Sequence, residues 1–249
     1  MINITKINIK IFLDTANLKI IKNSLKNYPF IKGFTTNPSL MHKESVKNYK
    51  KFTEEALENS SNLPISFEVF SDDLKQMEKE ARIIHSWGGN SYVKIPITNT
   101  KGKSTKNVIK NLTNDGIKVN VTAIFTIKQV TDILNYFNNS TPAIISVFAG
   151  RIADTGRDPI PLMKDCLNEM KINLKSELLW ASPRELLNII QADQIGCHII
   201  TVTKDIIKKL QFINYDLEEY SFTLDKLNAS EIYPKIEKIF SSTIKFSSV

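Results

Sequence analysis

Residues 64–98 read PISFEVFSDDLKQMEKEARIIHSWGGNSYVKIPIT. Both ends are short apolar runs of strand length, 64–69 and 91–97. The middle, 72–86, carries Leu74, Met77, Ala81 and Ile84 at three- and four-residue steps, the repeat of one helix face. Asp72 is read as its cap, and Gly88-Gly89 as the turn into the second strand. Strand, helix and strand in that order make one β-α-β unit. The same alternation runs through most of the chain. Strands are expected near 9–14, 31–36, 64–69, 91–97, 118–123, 142–148, 176–181 and 198–202. Helices are expected near 17–26, 43–59, 72–86, 103–115, 126–138, 159–171, 183–193 and 203–210. Eight such units in 249 residues indicate an α/β fold of the (β/α)8 TIM-barrel type. A doubly wound open sheet is the alternative, but no GxGxxG or GxxxxGK[ST] loop supports one.

No linker or low-complexity stretch divides the chain, so residues 1–249 read as a single barrel domain. Residues 213–249 fall outside the eight repeats. They are expected to form a C-terminal helical extension, for example around 223–240, packing on the barrel or on a neighbouring subunit.

Lys94 stands in the middle of the fourth strand, in Tyr92-Val93-Lys94-Ile95-Pro96-Ile97-Thr98. Most other lysines lie in polar, helix-like runs. Burying an ammonium is costly, so Lys94 either meets a carboxylate or gives up its proton. A neutral, desolvated amine is a nucleophile suited to a Schiff base with a carbonyl. A structural ion pair without chemistry is the competing reading.

Composition removes several classes of function. The chain is 42% hydrophobic and 24% charged, as expected of a globular protein with a substantial core. No apolar run approaches the roughly 20 residues of a membrane span. The N-terminus lacks a signal peptide's apolar core, which makes the expected location cytoplasmic. Cys166 and Cys197 match no disulfide framework or metal spacing, and His42, His85 and His198 form no ligand pattern, so no metal is expected. The net charge of +7 comes from scattered lysines rather than a basic block, which argues against nucleic acid and for phosphorylated metabolites. There are only four arginines: Arg82, Arg151, Arg157 and Arg184. Arg82 reads as a surface charge. The other three fall near strand ends, where a planar fork of donors suits phosphate or carboxylate.

A barrel of this kind carries its active site at the C-terminal ends of its strands, and residues i and i+2 share a face. Asp14, Thr35, Asn37, Glu68, Lys94, Asn120, Thr122, Ser146 and Phe148 all sit on or just beyond those ends, followed by Arg151, Ser182 and Arg184. Each has an ordinary explanation: a helix cap, a turn, a backbone hydrogen bond, a surface ion pair. Their convergence on one mouth is harder to explain by stability, because each polar group there must be desolvated and satisfied.

The segments FLDTA (12–16), GFTTNPSL (33–40), SFEVF (66–70), YVKIPIT (92–98), VNVTAIFT (119–126), ISVFAGRIAD (145–154) and ASPRELL (181–187) together resemble the transaldolase family, in its order and over most of 11–210. The resemblance implies Lys94 as Schiff-base lysine and Asp14 as the acid/base at the C4 hydroxyl. It implies Glu68 and Thr122 as holders of a proton-shuttling water. Asn37, Thr35, Asn120 and Ser146 would bind the dihydroxyacetone unit, Phe148 would line the pocket, and Arg151, Ser182 and Arg184 would take the phosphate. It implies sugar-phosphate substrates, no cofactor and a homo-oligomer. The fructose-6-phosphate aldolases of the same family typically carry Gln where this chain has Glu68 and Tyr where it has Phe148, so the transferase branch is favoured. Arg157 and Asp158 depart from the family pattern and are expected either at the distal end of the substrate or in a surface salt bridge. Pro183 replaces an aromatic often found there.

Overall fold

A computed structural model describes residues 7–172 and 175–221. Eight strands close a parallel barrel in sequence order, the first pairing with the last. They are β1 (Lys10–Asp14), β2 (Ile31–Thr35), β3 (Ile65–Glu68), β4 (Ser91–Pro96), β5 (Val119–Ile124), β6 (Ala143–Val147), β7 (Ser176–Trp180) and β8 (Ile199–Val202). The helices among the described residues are α1 (Leu18–Asn27), α2 (Pro38–Lys43), α3 (Tyr49–Asn59), α4 (Leu74–Ser86), α5 (Lys106–Asn114), α6 (Ile127–Leu134), α7 (Ala149–Ala153), α8 (Ile160–Glu169), α9 (Leu187–Gln194) and α10 (Lys204–Lys209). The eightfold alternation read from the sequence is therefore the fold.

Three local expectations change. The helix expected over 43–59 starts only at Tyr49, as α3, with a separate α2 ending at Lys43 before it, because Ser45 takes a positive φ of 54° and Asn48 caps a fresh start by accepting from the Lys51 amide at 2.9 Å. Asp73, not Asp72, caps α4, accepting from the Gln76 amide at 2.9 Å. Asp72 instead takes the amide and hydroxyl of Thr100, at 2.7 and 2.8 Å. The short α7, expected as loop, follows β6 directly and has no side-chain cap to betray it.

Residues 6–207 form the barrel as one compact unit. Residues 208–221 belong to a second unit, in which the rings of Phe212, Tyr215 and Tyr220 meet edge to face. The helices expected around 223–240 lie outside the described residues. No helix among the described residues is long and apolar enough to cross a membrane. Cys166 and Cys197 are buried free thiols, and burial pushes both up to about 12.

The barrel interior is layered. Phe12, Ile144, Leu179 and Ile199 belong to one buried apolar cluster, with Tyr92 packed against it. Two residues further along four of these strands come Asp14, Ser146, Thr201 and Lys94, so the period-two rule that buries the floor also sets polar groups above it; after β7 the position is Ala181, which stays in the apolar cluster. The floor depends on one glycine. A Cβ on Gly33 would meet Phe12 ring atoms at 2.6–2.7 Å, and Phe12 is buried in the floor cluster, so the ring would have to shift among its packed neighbours. Gly33→Ala is expected to cost about 1–3 kcal/mol, as overpacking does. The readout is a lower urea midpoint at unchanged slope; a midpoint equal to wild type would show that the ring yields freely.

Candidate active site

The strands' C-terminal ends surround a cavity of about 580 Å³. Strand register assembles its floor. Glu68 and Lys94 are direct partners across β3 and β4, as are Asp14 and Thr35 across β1 and β2. Lys94 Nζ lies 3.1 Å from Glu68 Oε2 and donates to the Thr36 carbonyl at 3.1 Å, with Lys94 only 8% exposed. The carboxylate that the buried lysine requires is therefore present, and the pair lines an open cavity instead of being sealed in the core.

Asp14 lies in the same electrostatic field. Burial pushes its carboxyl above the ordinary value. Lys94 and the Thr35 hydroxyl pull it back, and Glu68 adds to the rise. The Thr35 hydroxyl donates to Asp14 Oδ1 at 2.7 Å and lies 2.5 Å from the Thr201 hydroxyl. Asn37 has two tasks. Its Oδ1 caps α2 by accepting the Leu40 amide at 2.9 Å, while its Nδ2 faces Asp14 Oδ2 at 3.5 Å.

Beside these groups runs a satisfied polar chain. Ser146 donates to Asn120 Oδ1 at 2.7 Å, and Asn120 donates to Ser66 Oγ at 2.9 Å. Asn120 does not line the cavity; it is the β5 register partner of Lys94 and accepts from Ser146, which does line it. Thr122 does line it, and its buried hydroxyl has no hydrogen-bond partner. A register shift between Val121 and Ile124, with Ala123 at a φ of 59°, gives β5 a bulge beside Thr122, the kind of irregularity that re-aims side chains at a site.

The rim is cationic. The Arg151 guanidinium sits 4.8 Å over the Phe148 ring, which in turn meets Phe125 edge-on at 5.6 Å. Arg184 also lines the cavity, but Asp154 holds it in a two-point ion pair, Nε to Oδ1 at 2.8 Å and Nη2 to Oδ2. Ser182 completes this wall. Gly150 is obligatory here, because a Cβ would fall 1.5 Å from the Ser182 carbonyl oxygen. Arg157 and Asp158 do not line the cavity, nor do they pair with each other: Asp158 accepts the Ile160 amide at 2.9 Å. Among the described residues no group of three or more His, Cys, Asp or Glu is placed to hold a metal ion.

Comparison with known proteins assigns this constellation to a lineage. Residues 11–249 match the family model described as Transaldolase/Fructose-6-phosphate aldolase. The chain belongs to that family. A Nitrosopumilus maritimus protein named "Probable transaldolase" is 35% identical over 203 residues, covering 81% of this chain and 86% of its own. Proteins of the same name from Dehalococcoides mccartyi and Thermoplasma acidophilum are 33% and 34% identical, again over 81% of this chain and over 89% and 87% of theirs. Among solved structures, 3-hexulose-6-phosphate synthase from Salmonella typhimurium superposes with a TM-score of 0.56 at 12% identity, covering 81% of this chain and 90% of that one. For 3-keto-L-gulonate-6-phosphate decarboxylase from Vibrio cholerae the values are 0.53, 15%, 83% and 92%. At such identities these two report the barrel alone.

Three residues of this transaldolase/aldolase-family site went unread in the sequence. Thr201 is the last inward position of β8 and looked like an ordinary strand threonine. Lys43, on α2, lines the cavity but was hidden in a lysine-rich run. Tyr49, at the start of α3, donates its hydroxyl to the Glu68 carbonyl at the end of β3, at 2.8 Å. The parity of β8, Ile199 in the floor and Thr201 above it, was the signal available for the first.

The raised Asp14 carboxyl makes a stability prediction. Between its unfolded and folded values the native state holds more protons, so stability falls as pH rises through that window. The penalty is absent below about pH 4, the ordinary carboxylate range. Asp14→Asn should therefore raise the thermal midpoint at pH 7 and change it little at the acidic end. A midpoint gain independent of pH would contradict this assignment.

Proposed function

We propose that this protein is a transaldolase that moves a dihydroxyacetone unit from a ketose phosphate to an aldose phosphate through a Schiff base on Lys94. The observation that carries the reading is the Lys94 amine at the cavity floor, 3.1 Å from Glu68 and within the electrostatic reach of Asp14.

Each step has a group to perform it. Glu68 takes a proton from the Lys94 ammonium, and the free amine adds to the C2 carbonyl. Loss of water, with Glu68 and the unpartnered Thr122 hydroxyl guiding the protons, leaves a protonated imine. Asp14 accepts the C4 hydroxyl proton, the C3–C4 bond breaks, and its electron pair enters the imine to give an enamine while an aldehyde departs. The acceptor aldehyde reverses these steps: Asp14 returns its proton and hydrolysis frees Lys94. A carboxyl raised by burial is suited to both halves of that exchange, and such acid–base help is typically worth ~10²–10⁴-fold.

Arg151, Arg184, Ser182 and Lys43 supply the phosphate end. Asp154 occupies one edge of Arg184 and leaves the Nη1 hydrogens for the ligand. Glu68 and Phe148 favour transfer over release of free dihydroxyacetone, since the aldolase branch typically carries Gln and Tyr there.

The test is glyceraldehyde 3-phosphate release from fructose 6-phosphate, with and without erythrose 4-phosphate, using Lys94→Ala as control. Release that requires the acceptor and vanishes in the variant is expected, together with borohydride trapping of the ketose on Lys94. Acceptor-independent release would reassign the protein to the aldolase branch. Absence of any Lys94 adduct with every ketose phosphate tried would overturn the Schiff-base reading.

A further inference from the structure

The Asp14 carboxylate is the end of a chain of hydroxyls that begins on β8. Thr35 has a single hydroxyl hydrogen, and it points to Asp14 Oδ1 at 2.7 Å. The 2.5 Å contact between Thr35 and Thr201 must then be made with the hydrogen of Thr201, because Thr35 has none left. With Asp14 ionised the order is fixed: Thr201 donates to Thr35, and Thr35 donates to Asp14. Both threonines are buried, 7% and 2% exposed, and both line the catalytic cavity. Donation into Thr35 polarises its hydroxyl and strengthens the bond it makes onward. Occupation of Oδ1 also leaves Oδ2, with only the long 3.5 Å approach of Asn37, as the oxygen free to receive a proton.

We propose that Thr201 is a positioning residue: acting through Thr35, its hydroxyl holds Asp14 as an ionised acceptor with Oδ2 turned to the substrate. The proposal rests on the assignment of Asp14 as acid/base. It also adds what that assignment lacks, a reason why a buried carboxyl is ionised when it is needed. Other charges bear on Asp14 as well: Lys94 from β4 and Glu68 from β3, with Lys43 on α2, Arg151 on α7 and Arg184 after β7 lining the same cavity. The hydroxyl chain is the part that reaches the carboxylate by direct hydrogen bonding from a neighbouring strand.

The experiment titrates the Asp14 carboxyl by ¹³C NMR, with the signal assigned from its loss in Asp14→Asn. Thr201→Val and Thr201→Ala delete the hydroxyl, and Thr201→Ser retains it. Loss of one hydrogen bond of ordinary net worth should raise the Asp14 midpoint by about half a unit to one unit in the deletions, with no shift in Ser. The acid limb of kcat/KM should move by the same amount, with KM for the ketose phosphate little changed. An unmoved midpoint in both deletions would overturn the proposal. So would equal shifts in Ser and Val, because packing rather than the hydroxyl would then be responsible. The carboxyl titration needs no turnover. A midpoint that shifts as expected in a protein inactive on every ketose phosphate would uphold the hydroxyl chain while refuting the catalytic reading.

Discussion

A buried ammonium and two half-buried carboxylates inside a closed barrel constrain everything around them. A charge taken from water must find its partners within the fold, and the cost of failing is larger than any single packing gain. Here the partners come from strand register. Glu68 and Lys94 face each other across one ladder and Asp14 and Thr35 across another, so the strand pairings that build the barrel also bring the ammonium to a carboxylate and the second carboxylate to a hydroxyl donor. Site and fold thus share one strand register.

Above the apolar floor the polar groups divide into two kinds. Asn120, Ser66 and Ser146 satisfy one another and hold a shape. Thr122 and the Oδ2 side of Asp14 are left underused, and these are the atoms that chemistry on a bound sugar would occupy. The rim is built differently, from two short helices. α2 is started by Asn37, which faces Asp14 at the same time. α7 is drawn against the end of β7, where Gly150 donates its amide to the Ala181 carbonyl at 3.2 Å. Arg151, Asp154, Ser182 and Arg184 therefore form one wall.

Much of this was legible in the sequence. The barrel follows from eightfold alternation, and the floor and the catalytic level follow from parity along each strand, which needs only residue type and count. What escaped had physical reasons. Ser45 adopts a conformation that its residue type rarely takes, so the break between α2 and α3 left no mark. Arg184 reads as a free cation in one dimension, and only the fold brings Asp154 to it. Lys43 is one lysine in a run of them. Tyr49 acts through a backbone carbonyl on β3, a relation that no side-chain pattern encodes.

The alternation of faces along β4 also bears on how such a protein can change over time. Loops beyond the strand ends can lengthen or shorten while Lys94 stays where it is. One residue gained or lost within β4 ahead of Lys94 would turn the amine out among the helices and bring a neighbouring apolar side chain into the cavity, removing the proposed nucleophile at a stroke. Substitution is therefore an open route to new substrates for this architecture. Single-residue insertion or deletion inside its strands is a closed one.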